Sequence, residues 1–173
     1  MPIPNPEPGL VISYAYLWHH ERPAGRKEGQ KDRPSVIVLA VEREAAGATV
    51  VTVLPIRHSA PGDPASAVEM AVEIPLAVKR HLGLDDDPSW IVVAEGNEFV
   101  WPGYNLRKLP HSDRYHYGFL PPRLFNQVLD AFVGWYRSSR RRVTPREGTT
   151  ATATPPVFAA RYPLSSPHPS RRS

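Results

Sequence analysis

The sequence predicts a mainly β fold, a small barrel or strongly curved sheet covered by one C-terminal amphipathic helix. Three observations carry this prediction. Between residues 10 and 101, short runs rich in Val, Ile and aromatic residues alternate with segments rich in Gly, Pro, Asp and charge. Residues 121–138 carry apolar side chains at helical spacing. Beyond them the composition turns to Ser, Thr, Pro, Ala and Arg, with few large apolar residues.

Taken in order, Pro8-Gly9 precedes LVISYAYLW, whose valine, isoleucine and aromatics fit a strand. A polar stretch, HHERPAGRKEGQKDR, follows and has the length of a functional loop. PSVIVLAVE and ATVVTVLPI read as the two arms of a hairpin, joined by REAAG with Gly47 at the turn. RHSAPGDPASA is loop. MAVEIPL is a short strand leading into AVKRHLGL, which has room for one or two helical turns. Asp85, Asp86 and Asp87 read as a solvated turn before a strand in PSWIVVAE, and NEFVW pairs beyond a bend near Gly96. In PPRLFNQVLDAFVGWYRS, Leu124, Phe125, Val128, Leu129, Phe132, Val133 and Tyr136 follow the i, i+3, i+4 rule. Pro122 suits the first helical turn, and the arginines after Tyr136 suit the negative end of the helix dipole.

These elements make residues 1–137 one folded domain and residues 138–173 a disordered basic tail. Charge divides the same way. From Arg137 onward there are eight arginines and one acid, a net +7, which leaves 13 basic and 16 acidic residues, a net −3, in the body. The overall +4 therefore belongs to the tail and does not identify a partner for the body. A basic disordered tail adds non-specific attraction to nucleic acid, or serves only as a solubilising extension.

With no cysteine, the chain has neither a disulfide framework nor a thiolate metal site. MPIPNPEPGL lacks the pattern of a secretory signal, and no apolar run has membrane-spanning length, so a soluble, cytoplasmic protein without membrane association is expected. A P-loop, a Rossmann glycine pattern, GxSxG and HExxH are all absent. His19-His20 lacks partners at ligand spacing, so no metal or other cofactor is expected.

The remaining candidates are polar residues at the ends of strong strands. One group is the long loop with Arg22, Arg26, Lys27, Glu28, Lys31 and Arg33; the other is Arg57, His58 and Ser59 after VVTVLP. A hairpin sets the start of one arm beside the end of the other, so Arg33 is expected near Arg57, His58 and Ser59. Such a cluster suits a phosphodiester. Metal-free RNA cleavage uses the substrate's own 2′-hydroxyl as nucleophile, and the protein must move two protons and stabilise charge on phosphorus. Arginine offers a fork of donors matched to phosphate oxygens, histidine moves a proton near neutral pH, and Ser59 could hydrogen-bond a phosphate oxygen. The plainer alternative is that these residues decorate a loop and a strand end.

PGLVISY, EGQKDRPSVIVLA and VTVLPIRHS, in that order and followed by the terminal helix, resemble the PemK/MazF-like toxins of toxin–antitoxin systems. The likeness runs from about Pro8 to the helix end near Arg137 and excludes the tail. It implies an SH3-like β-barrel, usually a homodimer, that cleaves single-stranded RNA without metal and is held in check by a cognate antitoxin protein. It implies that Arg33 stabilises the phosphorane, and that Glu28 and Glu95 occupy acidic positions of the RNA groove. Two residues depart from the family pattern. Arg57 stands where the family has threonine, leaving His58 or Ser59 to contact phosphate, and Glu98 stands where an arginine is usual.

Catalytic roles are thus expected for Arg33, His58 and Ser59, and substrate contacts for Arg26, Lys27, Glu28, Lys31, Arg57 and Glu95. Tyr14, Tyr16, Trp18 and Trp101 either stack on exposed bases or pack the core or a dimer interface. Two functional alternatives remain open: a barrel that binds nucleic acid, or a protein partner such as a topoisomerase, without cutting, and a degenerate toxin retained for its antitoxin interaction.

Overall fold

The computed structural model describes residues 2–18, 31–59, 71–138 and 143–146. In chain order the elements are β1 (Leu10–Ala15), β2 (Asp32–Arg43), β3 (Ala48–Arg57), β4 (Ala71–Glu73), α1 (Leu76–Leu82), β5 (Trp90–Val92), β6 (Gly96–Val100), β7 (His116–Phe119), α2 (Pro122–Arg137) and β8 (Val143–Pro145). The predicted hairpin forms between β2 and β3, from Arg43↔Ala48 at the turn to Ser35↔Pro55 at the open end. Its turn is a single 3-10 turn, Glu44–Ala46, closed by Gly47 in the left-handed conformation that glycine adopts without strain.

β3 is the centre of the sheet. One edge pairs with β2, and the other is shared by β6 along Val50–Val53 and by β5 at Ile56 and Arg57. β1 lies antiparallel to β2 and carries β7 on its far side, where the bridge Tyr14↔Leu106 continues the pairing. The main path is β4-β5-β3-β2-β1-β7, seven strands being antiparallel once β6 is counted. The end strands β4 and β7 do not pair with each other among the described residues, so the sheet is open rather than the closed barrel expected. α1 leads from β4 toward β7 and brings Leu82 beside Gly118. A side chain added at Gly118 would meet Leu82 at 3.7 Å.

Strand alternation divides the core between the two faces. Val11, Val36, Val38, Leu54, Ile56 and Ile91 gather on one face with Leu124, Val128 and Phe132 of α2. Leu10, Ile12, Tyr14, Tyr16, Ile37, Val51, Val53, Phe99 and Leu106 gather on the other. Among the described residues no helix contributes to this second cluster, and Trp18, Trp101 and Tyr115 pack against it from beyond the strands. A β2 bulge between Ile37 and Leu39 adjusts which residues face inward.

α2 meets the expected boundaries, with Pro122 in its first turn. Its fully buried stripe is Leu124, Val128, Phe132 and Trp135, whereas Leu129 and Val133 are half-buried. The stripe ends on Trp135 because Val92, the last residue of β5, and Ala94 form a third apolar cluster there.

Two strands depart from the sequence reading. β7 lies in HYGF, a segment that reads as no strand, and β8 lies inside the tail expected to be disordered. β8 adds to β6 in parallel, through Gly96↔Val143 and Glu98↔Pro145, satisfying backbone groups at an otherwise free edge. Apart from Arg146, the rest of 139–173 lies outside the described residues. No helix among the described residues is long and apolar enough to cross a membrane.

Phe132 is almost wholly buried where α2 meets the sheet. Phe132→Ala should lower the unfolding free energy by about 3 kcal/mol in a urea titration, with the slope unchanged.

Candidate functional site

Arg33 is paired across β1 and β2 with Tyr14, and directly opposed residues in an antiparallel pair project to the same face. Arg33 therefore rises on the side of the sheet that holds the aromatic cluster. Its guanidinium carbon lies 5.4 Å from the centre of the Trp18 ring, within cation–π range. Trp18 is held in turn: the edge of Tyr16 meets it at 5.1 Å, and Leu17 is pinned from both sides by Asn97. The Asn97 side chain accepts from the Leu17 N–H at 3.0 Å and donates to the Leu17 carbonyl at 2.9 Å. Asn97 is fully buried, so this amide acts as one more rung tying the chain after β1 to β6.

Glu95 joins the same wall, its carboxylate accepting from the Tyr16 hydroxyl at 3.4 Å. Burial pushes the Tyr16 hydroxyl well above the ordinary tyrosine value, and the Glu95 charge pushes it further, so Tyr16 remains a donor. Of the four aromatics considered for base stacking, Tyr14 and Tyr16 are core residues. Tyr14 stacks on Phe99 at 4.6 Å, while Trp18 and Trp101 are half-buried at the rim.

The described partners of His58 and Ser59 are residues other than Arg33. The β2–β3 ladder ends at Ser35↔Pro55, and His58 turns toward the α1 side of the sheet. Its Nε2 lies 3.3 Å from an Asp85 carboxylate oxygen, and its Nδ1 lies 3.4 Å from the hydroxyl of buried Ser89. Ser59 is exposed, and its carbonyl accepts from Arg57 Nε at 2.6 Å. Arg57, half-buried, opposes Trp90 of β5. Lys31 is exposed beside β2, while Arg26, Lys27, Glu28 and the pair His19-His20 lie outside the described residues.

Asp85 is more than the solvated turn residue anticipated. It also binds Lys79 at 3.2 Å, and Lys79 is only 1% exposed despite its charge. The buried ammonium needs an anion, and Asp85 supplies it. His58, Asp85 and Asp87 present possible ligand atoms within 4.8 Å of one another. Lys79 already holds one Asp85 oxygen, however, so this corner is an ion-pair cluster with its positive charge built in. Sequence spacing could not reveal it, because His58 and Asp85 meet only through β3 and the turn after α1.

Glu98, in the position where the family pattern has arginine, is partly buried on β6. Burial raises its carboxyl above the ordinary glutamate value, and Arg43 opposes that shift. Arg146 follows β8, and its backbone N–H donates to the Glu98 carbonyl at 2.7 Å. No protein-family model matches this chain, and no curated protein matches it significantly.

Two outcomes are expected. Asn97→Ala leaves both Leu17 backbone groups without their partner and should cost about 3 kcal/mol in chemical denaturation. A raised carboxyl binds its proton more tightly in the folded state, so Glu98 removes stability as pH rises from the ordinary glutamate value through its own raised value. Glu98→Gln should therefore raise the melting temperature at pH 7 and leave it unchanged at about pH 3, where both states are protonated.

Proposed function

We propose that this chain is a metal-independent endoribonuclease that cuts single-stranded RNA, acting in the cytoplasm as the toxin of a type II toxin–antitoxin pair. The observation that carries this reading is Arg33. A permanent cation lies over the Trp18 ring at the rim of the sheet, within cation–π range, where it can meet a phosphate. The reading takes the open antiparallel sheet with its terminal helix as an SH3-like unit, and a homodimer blocked by a cognate antitoxin completes it.

In the reaction, the 2′-oxygen attacks phosphorus as its proton leaves, the bond from phosphorus to the 5′-oxygen breaks, and that oxygen takes a proton. The products are a 2′,3′-cyclic phosphate and a 5′-hydroxyl. Arg33 neutralises charge on the non-bridging oxygens as it grows. Glu95 shares the Tyr16–Trp18 wall with Arg33 and is the better-positioned proton acceptor. His58 is turned to Asp85 on the α1 side. Its contribution to cleavage, and that of Ser59, is accordingly secondary to that of Arg33 and Glu95.

A specific observation favours a second reading, binding without cleavage to nucleic acid or to a protein such as an antitoxin or a topoisomerase. The expected acid–base residue His58 is engaged by Asp85 and Ser89, whereas the cation Arg33 lies over Trp18. One assay separates the two readings. Purified protein in chelator should cut single-stranded RNA and leave cyclic phosphate ends. Arg33→Ala should slow cutting at least about 100-fold, and Glu95→Gln should slow it more than His58→Ala does. Tight binding of varied RNAs with no cutting would establish the second reading instead.

A further inference from the structure

Arg146 belongs to the segment that composition assigns to a disordered basic tail, yet it is only 5% exposed. Both terminal nitrogens of its guanidinium are buried and find no hydrogen-bond partner among the described residues. The same holds for the Tyr14 hydroxyl and the Asn105 side-chain oxygen. An uncompensated guanidinium in the interior is costly, and natural folds rarely leave one without an anion.

These groups meet at one place. Arg146 is anchored to the Glu98 carbonyl, and the next residue, Phe99, stacks on Tyr14 at 4.6 Å. Asn105 is tied to the strand beside Tyr14 through its carbonyl, which accepts from the Ala15 N–H at 2.9 Å. Burial pushes the Tyr14 pKa up, and Arg146 lies close enough to oppose that push, though the two do not meet hydrogen-bond geometry. Two donor groups, a planar fork and a phenol, thus converge from β8 and β1 with an amide beside them. Tyr104, the neighbour of Asn105, is 48% exposed, so the cluster lies just beneath the surface. Arg33 stands across the β1–β2 pair from Tyr14, on the same face.

We propose that Arg146, with Tyr14, forms an anion subsite that takes a phosphate group and adjoins Arg33. Arg146 would grip two phosphate oxygens through its fork, and Tyr14 would donate to one of them. A phosphate of a bound RNA strand and free phosphate share this chemistry. The assignment of the RNA phosphate rests on the endonuclease reading; the subsite itself does not.

The test uses the full chain and two probes, inorganic phosphate and a short oligoribonucleotide whose 2′-hydroxyls are methylated to prevent cutting. Phosphate should raise the wild-type melting temperature by about 3 °C beyond chloride at matched ionic strength. Arg146→Met keeps the stem and removes the fork; it should abolish that shift and weaken oligonucleotide binding about tenfold. Tyr14→Phe removes only the hydroxyl and should reduce the shift, while Arg123→Ala, on the exposed start of α2, should leave it unchanged. Without phosphate, neither Arg146→Met nor Tyr14→Phe should melt earlier than wild type, because each removes a buried polar group that has no partner. A shift that is absent in wild type, or that persists in Arg146→Met, overturns the subsite. An Arg146→Met variant that melts earlier and keeps the full shift marks a structural arginine and overturns it too. Intact RNA alongside a phosphate shift lost in Arg146→Met sinks the endonuclease reading and leaves the subsite standing. RNA cut by wild type with an unaltered shift in Arg146→Met does the reverse.

Discussion

The ladder between β2 and β3 is the interaction on which the rest of the molecule depends. Its two strands are the longest in the fold, and β3 alone offers pairing to β2 on one edge and to β5 and β6 on the other. Because side chains alternate, the same strands feed both apolar clusters, one under α2 and one on the opposite face. A slip of one residue in this register would turn both clusters inside out, so the two cores hold each other in place. The polar ends of these strands therefore sit at fixed positions, and this is what makes a site at the rim possible.

That fixed register also sorts the polar residues by face. Arg33 and Tyr14 share one side with Trp18 and Glu95, whereas His58 is drawn to the α1 side, where Asp85 and Lys79 form a charge cluster of their own. Two groups that meet at one end of a hairpin in a flat diagram are thus assigned to different neighbourhoods. The side that keeps Arg33 also carries the pinned segment Tyr16–Trp18 and receives Arg146 from the tail.

What the sequence made legible was local. The β2–β3 hairpin, its Gly47 turn and the boundaries of α2 follow from periodicity and turn chemistry, and each was readable from a window of a few residues. β7 was not, because HYGF is only four residues long and broken by Gly118, too short to show a period, and it pairs on the edge that β1 offers. β8 and Arg146 were hidden for the opposite reason: their surroundings in sequence have the composition of disorder, while their partners Gly96 and Glu98 are supplied by the fold. In the site, Arg33 was legible from its strand entry. The Lys79–Asp85–His58 chain was not, since aspartates before a proline look like a turn until a buried ammonium is set beside one of them.

β8 has a consequence of a different kind. A strand edge with free N–H and C=O groups is a template on which another chain can grow, and β6 would be such a template at the margin of a valine-rich sheet. The chain covers that edge with three residues of its own, Val143–Pro145, and places a proline last, where the ladder loses a donor. The segment thus works as a stop, admitting one short strand and discouraging the next. Protein cut after Ser138 would keep its core and its helix but expose the outer edge of β6, and its solubility, rather than its folding, would bear the change.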